Sequence, residues 1–197
     1  MNEDRRVQRT RELLQNALME LLETRDYDAL TIQDVAERAN VGRTTFYLHF
    51  ESKEELYRQA HRAEVARIAG APLTRAELFA DDPPSRMVAV YAYHWSTRDV
   101  LRMVYFGKDA EVIHRQMRDQ NAVQIAAYLA ATFAGVRFIL PVDVLANYLV
   151  VSEMGLMMWW IEKHPPYTPE QMAAHFHRLR RGSLREGLAL TDVSPPG

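Results

Sequence analysis

Between residues 41 and 50 the chain reads VGRTTFYLHF, and Lys53 follows three positions on. Arg43 and Thr44 combine a guanidinium with a short hydroxyl and methyl, groups that fit DNA base edges and the thymine methyl. Tyr47, His49 and Lys53 carry donors suited to phosphate oxygens. Thr31 adds a hydroxyl where a helix should begin, a place whose free N–H groups favour an anion. By local preference, however, two threonines and three aromatics in ten residues read as a β-strand. They can serve a nucleic-acid surface only if neighbouring helices impose a different conformation.

Other chemistries are poorly supplied. The chain has no cysteine, so a disulfide framework, a thiolate metal site and a thiol nucleophile are excluded. His175 and His177 are two apart and would face different directions on a helix. His61, His94 and His114 are scattered. No G-x-S-x-G, H-E-x-x-H or phosphate-cradling glycine loop occurs. Neither a catalytic centre, nor a metal, nor a cofactor is expected.

The elements needed to hold the opening stretch are legible around it. Residues 4–24 place Val7, Leu14, Ala17, Leu18, Leu21 and Leu22 at helical spacing, with Arg5, Arg6, Arg9 and Arg11 crowded at the start. Positive charge is unfavourable at a helix N-terminus, which suggests that these arginines have an anionic partner such as phosphate. Thr31 can cap IQDVAERA, with Asp34 completing a capping box, and Ile32, Val35, Ala36 and Ala39 form one apolar face. Residues 40–42, Asn-Val-Gly, suit a turn, and Ser52 with Glu55 opens a long helix running from Lys53 toward Gly70. Two short helices joined by a glycine-containing turn and held by helices on either side make a helix-turn-helix. In that setting Phe46 and Phe50 point inward, while Arg43, Thr44, Tyr47 and Leu48 face out.

The rest reads as helix. MVAVYAYHWSTRDVLRMVYF and EVIHRQMRDQNAVQIAAYLAATFAG are followed by VDVLANYLVVSEMGLMMWWIEKH, with Pro141 at its first turn. Thr168, Pro169 and Gln171 begin a last helix that should turn Met172, Phe176, Leu179 and Leu184 to one side. The expected fold is therefore all-α: a three-helix helix-turn-helix domain at 1–52, then a helical bundle at 53–190 with 53–70 as connecting helix, and a tail at 191–197. Residues 1–60 hold nine Lys or Arg against twelve Asp or Glu, so a DNA face there must come from local clustering. The charged start MNEDRRVQRTR is unlike a secretory signal peptide, and no apolar run approaches the roughly 18 to 20 residues that span a bilayer. A cytoplasmic protein with no membrane partner is expected.

TIQDVAERANVGRTTFYLHFESKEELY closely resembles the DNA-binding domain of the TetR (tetracycline repressor-like) family of bacterial transcription regulators, over about residues 8–60. The resemblance implies DNA contacts from Thr31, Arg43, Thr44, Thr45, Tyr47, His49 and Lys53. Gly42 stands where the family often has serine, and Leu48 where a polar or aromatic residue is frequent. MGLMMWWIEKHPPYTPEQMA is similar to the C-terminal domain of one TetR subgroup. A dimer through residues 141–163 and 168–186 would cover apolar faces otherwise exposed, and the resemblance implies a four-helix interface there.

Within the bundle, Tyr91, Trp95, Tyr105, Tyr128, Tyr148, Met154, Met158 and Trp159 either fill the core or line a pocket for a small apolar or aromatic effector. Glu153, mid-helix among apolar neighbours, needs a partner wherever it is buried. The expectation is a regulator, not an enzyme: a dimeric repressor on a palindromic DNA operator, released by that effector. An activator, or a regulator answering to a protein partner, is the alternative.

Overall fold

The computed structural model describes residues 2–107 and 110–189. It is all-α; the described residues form no strand, only an isolated bridge between Phe138 and Leu188. The tail expected at 191–197 lies outside the described residues. Two compact units divide at Ile68 and Ala69.

The first unit contains α1 (Asn2–Leu22), a 3-10 turn (Tyr27–Ala29), α2 (Ile32–Arg38), α3 (Arg43–Tyr47) and nearly all of α4 (Lys53–Ala69). Leu14, Ala17 and Leu18 from α1, Val35 and Ala36 from α2, Phe46 and Phe50, and Leu56, Tyr57 and Ala60 from α4 form its core. Val7, expected on the apolar face, is exposed. The cap of α4 differs slightly from expectation. Ser52 Oγ accepts from Glu55 N at 3.1 Å, but the Glu55 carboxylate reaches past Ser52 and accepts from Glu51 N at 2.7 Å.

The second unit follows with α5 (Arg75–Phe79), α6 (Ser85–Ser96), α7 (Arg98–Tyr105), α8 (Ala110–Thr132), α9 (Val142–Lys163) and α10 (Pro169–Gly187). Helix α9 packs against α8, α7 and α10, and α10 also covers α6 and α5. Helix α5, capped by a box of Thr74 with Glu77, falls where the sequence shows only stop signals. The apolar run expected as one helix breaks between α6 and α7, where the hydroxyls of Ser96 and Thr97 both donate to the Tyr93 carbonyl at 2.9 Å. The cap of α10 is as expected, Thr168 and Gln171 bonding reciprocally with Pro169 in the first turn. Leu179 is not on the buried side of that helix. Its inward arc runs through Ala173, Phe176, His177 and Leu184, and Leu179 falls beyond its edge, 56% exposed.

One membrane expectation needs correction. Helix α9 is 22 residues long with mean hydropathy 1.4 over its most apolar window, enough by length and composition to cross a bilayer. Asn147, Ser152 and Glu153 interrupt the apolar letters and conceal this in a plain reading of the sequence. One side of the helix packs into the second unit, with Leu145, Ala146, Leu149, Val150, Met157, Trp160 and Ile161 buried.

Candidate nucleic-acid interface and bundle cavity

The turn between α2 and α3 closes by a Schellman motif. Val41 N donates to Ala36 O at 2.9 Å and Asn40 N to Glu37 O at 3.0 Å. Asn40 takes the left-handed conformation this requires, with φ 53°, while Gly42 is extended at φ −74°. Gly42 thus serves as a cap without a side-chain hydrogen bond. Helix α3 is anchored from beneath by Phe46, fully buried, whose ring lies 5.9 Å from that of Phe50. Burying one phenylalanine is worth about 1.5–3 kcal/mol, more than the roughly 1 kcal/mol span of β-propensity. Packing therefore overrides the strand-like letters.

With Phe46 and Phe50 inward, Arg43, Thr44, Tyr47 and Leu48 are exposed together, and Thr45 and His49 are half-buried beside them. The Arg43 guanidinium lies 5.7 Å from the Tyr47 ring centroid, its Nη2 3.4 Å from the phenolic oxygen. Thr31 stands exposed at the start of α2. Its hydroxyl donates to Asp34 Oδ2 at 2.5 Å and accepts from Asp34 N at 3.2 Å. The Thr31 hydroxyl bond, helped by Arg25 at 2.9 Å, holds the Asp34 carboxyl well below the usual carboxylate range. To reach a phosphate this hydroxyl must turn away from Asp34.

Two cations face inward. Arg11 donates to Gln59 Oε1 at 2.6 Å and lies 5.0 Å from the Phe50 ring, whereas Arg5, Arg6 and Arg9 are exposed. The Lys53 ammonium is bound to the carbonyls of Tyr27 and Leu30, both at 2.7 Å, and sits 4.1 Å from the Tyr27 ring centroid.

The second unit encloses a cavity of about 80 Å³ lined by Leu78, Ile125, Tyr128, Leu129, Leu149, Val150, Glu153, Arg180 and Leu184. Of the eight candidate pocket residues, Tyr128 alone is on that wall; its hydroxyl donates to the Leu73 carbonyl. Tyr91 and Trp95 pack around Trp160, with Trp95 stacked on it at 4.6 Å. Tyr105 is buried beside His114, Met154 and Met158 are half-buried, and Tyr148 and Trp159 are exposed. Glu153 finds its partner in Arg180, 3.7 Å away. Burial pushes its carboxyl up from the ordinary value against the pull of Arg180, although 43% of its side chain remains accessible. Glu153 is also one of the residues that line the cavity. Arg180 is not among the residues expected from the sequence; its only signal there is a charge four residues after Phe176 on the apolar face of α10.

The geometry of α2, turn and α3, with donors gathered on one outward face, is that of a helix-turn-helix DNA-binding domain. Residues 14–60 match the family described as bacterial regulatory proteins, tetR family. That segment is therefore similar to the DNA-binding domain of TetR-family transcription regulators. It is 46% identical over 66 residues to the HTH-type transcriptional regulator YxbF of Bacillus subtilis (strain 168), a match covering 33% of this chain and 17% of that protein. The chain thus matches under two thirds of that relative's length. The fold is similar to that of FadR, a transcriptional repressor from Thermus thermophilus crystallised with lauroyl-CoA, at 20% identity, TM-score 0.53, and coverage of 95% and 99% of the two chains. It is also similar to the dihydroxyacetone kinase operon activator DhaS, at 13% identity, TM-score 0.54, and coverage of 91% and 98%.

Proposed function

We propose that this protein is a cytoplasmic, dimeric transcriptional repressor that binds a palindromic operator and is released by a small apolar or aromatic effector. The outward face of α3 carries the reading. Arg43, Thr44 and Thr45 address base edges, and Tyr47, His49 and the cap hydroxyl of Thr31 address the sugar-phosphate backbone. Dimerisation through residues 141–163 and 168–186 is supported by an apolar stripe on α9, where Val144, Tyr148, Val151 and Trp159 recur at helical spacing and are all exposed. A two-fold axis through that stripe would repeat α3 on two half-sites of the operator.

The cavity between α5, α8, α9 and α10 is the effector site in this reading. At about 80 Å³ it is below the 300–1,000 Å³ typical of ligand pockets, so the effector must widen it. Widening parts helices of the second unit, and α4 is the chain's connection from there to the DNA-binding unit. A coupling of about 1–3 kcal/mol would lower DNA affinity 5- to 150-fold.

The test is selection of bound fragments from genomic DNA with the purified protein. A recurring palindrome is expected, and fragments sharing no sequence would remove the proposal. Screening small apolar compounds against the recovered operator then separates effector control from control by a protein partner.

A further inference from the structure

We propose that Lys53 is a positioning residue of the DNA-binding unit, not one of its phosphate contacts. An ammonium has three protons. Two of them are directed at the carbonyl oxygens of Tyr27 and Leu30, each at 2.7 Å, and the third side of the group faces the Tyr27 ring, 4.1 Å from its centroid. No donor direction is left for a phosphate. The seat is also half-buried, and that burial lowers the ammonium's pKa from its usual value.

What those bonds hold explains their use. The Tyr27 carbonyl also accepts from Leu30 N at 3.2 Å, so Lys53 closes both ends of the 3-10 turn that delivers the chain to Thr31. Thr31 is the next residue, and it caps α2. From the other side Tyr27 Oη donates to Glu54 Oε1 at 3.2 Å, so consecutive residues of α4 grip Tyr27 by its carbonyl, its ring and its hydroxyl. Lys53 therefore sets where α2 starts, and through the fixed turn at residues 39–42, where α3 lies. Its influence on DNA is exerted through the placement of Thr31 and α3.

This rests on the DNA-binding reading above, and the experiment separates the two. Lys53→Met and Lys53→Arg are compared with the full-length protein on a duplex that the wild type selects from a random library, across a salt series. Phosphate neutralisation contributes about 0.9 to the salt slope per contact. The expected result is that both variants lose affinity by a similar factor at every salt concentration, with the wild-type slope retained. The charge-conserving arginine should fail to rescue, because its donors lie in one plane on a larger group, whereas Lys53 Nζ meets both carbonyls at 2.7 Å from a single nitrogen held against the ring.

Hydrogen exchange of the free protein should show faster exchange at the Leu30 and Thr31 amides in both variants. A slope reduced by about 0.9 per protomer in Lys53→Met, or wild-type affinity and exchange in Lys53→Arg, would overturn the assignment. Selection of no duplex by the wild type would instead count against the DNA-binding reading, and the exchange measurement would still decide whether Lys53 holds the turn.

Discussion

Leu145 on α9 closes directly over Gly187 on α10: a Cβ added at Gly187 would lie 2.8 Å from Leu145 Cδ2 and 3.0 Å from Cδ1. Both residues are buried, and Gly187 O accepts from Ile139 N at 2.9 Å, which holds the Gly187 backbone in place. In an open helix, glycine to alanine stabilises by roughly 0.5–1 kcal/mol. Here overpacking, which costs about 1–3 kcal/mol, should prevail. Gly187→Ala is expected to lower the urea midpoint, and Leu145→Val should be less harmful in its presence than alone. A raised midpoint in Gly187→Ala would show that the leucine yields freely.

Asn40 is the pivot between α2 and α3, and its left-handed backbone is a requirement of the Schellman turn. Asn40→Gly should leave stability within a few tenths of a kcal/mol, because both residues tolerate that region. Asn40→Val should cost about 1–2 kcal/mol or more, since a β-branched side chain meets the following carbonyl there. Chemical denaturation compares them directly. If the valine variant were as stable as wild type, the turn would have another conformation available.

How far these features could be read in advance depends on the range of the interaction. The caps at Thr31 and Thr168, the turn at Asn40 and the inward Phe46 and Phe50 rest on contacts within four or five positions, and letters at fixed spacing encode them. Lys53 is different. Its partners Tyr27 and Leu30 are more than twenty residues away, so the sequence announces a cation but not where its protons go. The cavity was illegible for the same reason. Arg180 meets Glu153 across two helices, while conspicuous aromatics such as Trp95 and Trp160 spend their surface on one another.

His94 should make the second unit sensitive to mild acid. Burial lowers its imidazole pKa to about 4, below the ordinary 6.5 of an unfolded chain. Between those values the unfolded chain binds a proton that the folded one refuses, so stability is complete above about pH 6.5 and falls as pH drops toward 4. Glu77 adds a separate loss at lower pH. Its hydrogen bonds from Arg86 and Thr74 hold it near 2, so its contribution disappears as pH falls from the ordinary carboxylate range through that value. His94→Phe should flatten the unfolding midpoint between pH 6.5 and 4 while leaving the lower transition. A midpoint equally steep in both proteins would remove His94 as the cause.

Arg43 and Tyr47 are the residues on which specificity should turn, and they are coupled before DNA arrives. Arg43 lies against the Tyr47 ring with Nη2 3.4 Å from its hydroxyl, which restrains the guanidinium on the exposed face of α3. If Arg43 reads a base, Arg43→Ala should cost about 1–3 kcal/mol on the preferred operator and little on a sequence changed at that position. Tyr47→Phe should weaken binding to all sequences, because a phosphate has no identity to read. It should also weaken the discrimination that Arg43 provides, since the arginine keeps the ring but loses its contact with the hydroxyl. The two substitutions are therefore expected to be non-additive in a double-mutant cycle on operator DNA, as neighbours sharing a contact usually are. Strict additivity would mean that the pairing dissolves on binding and that Arg43 is oriented by the DNA alone.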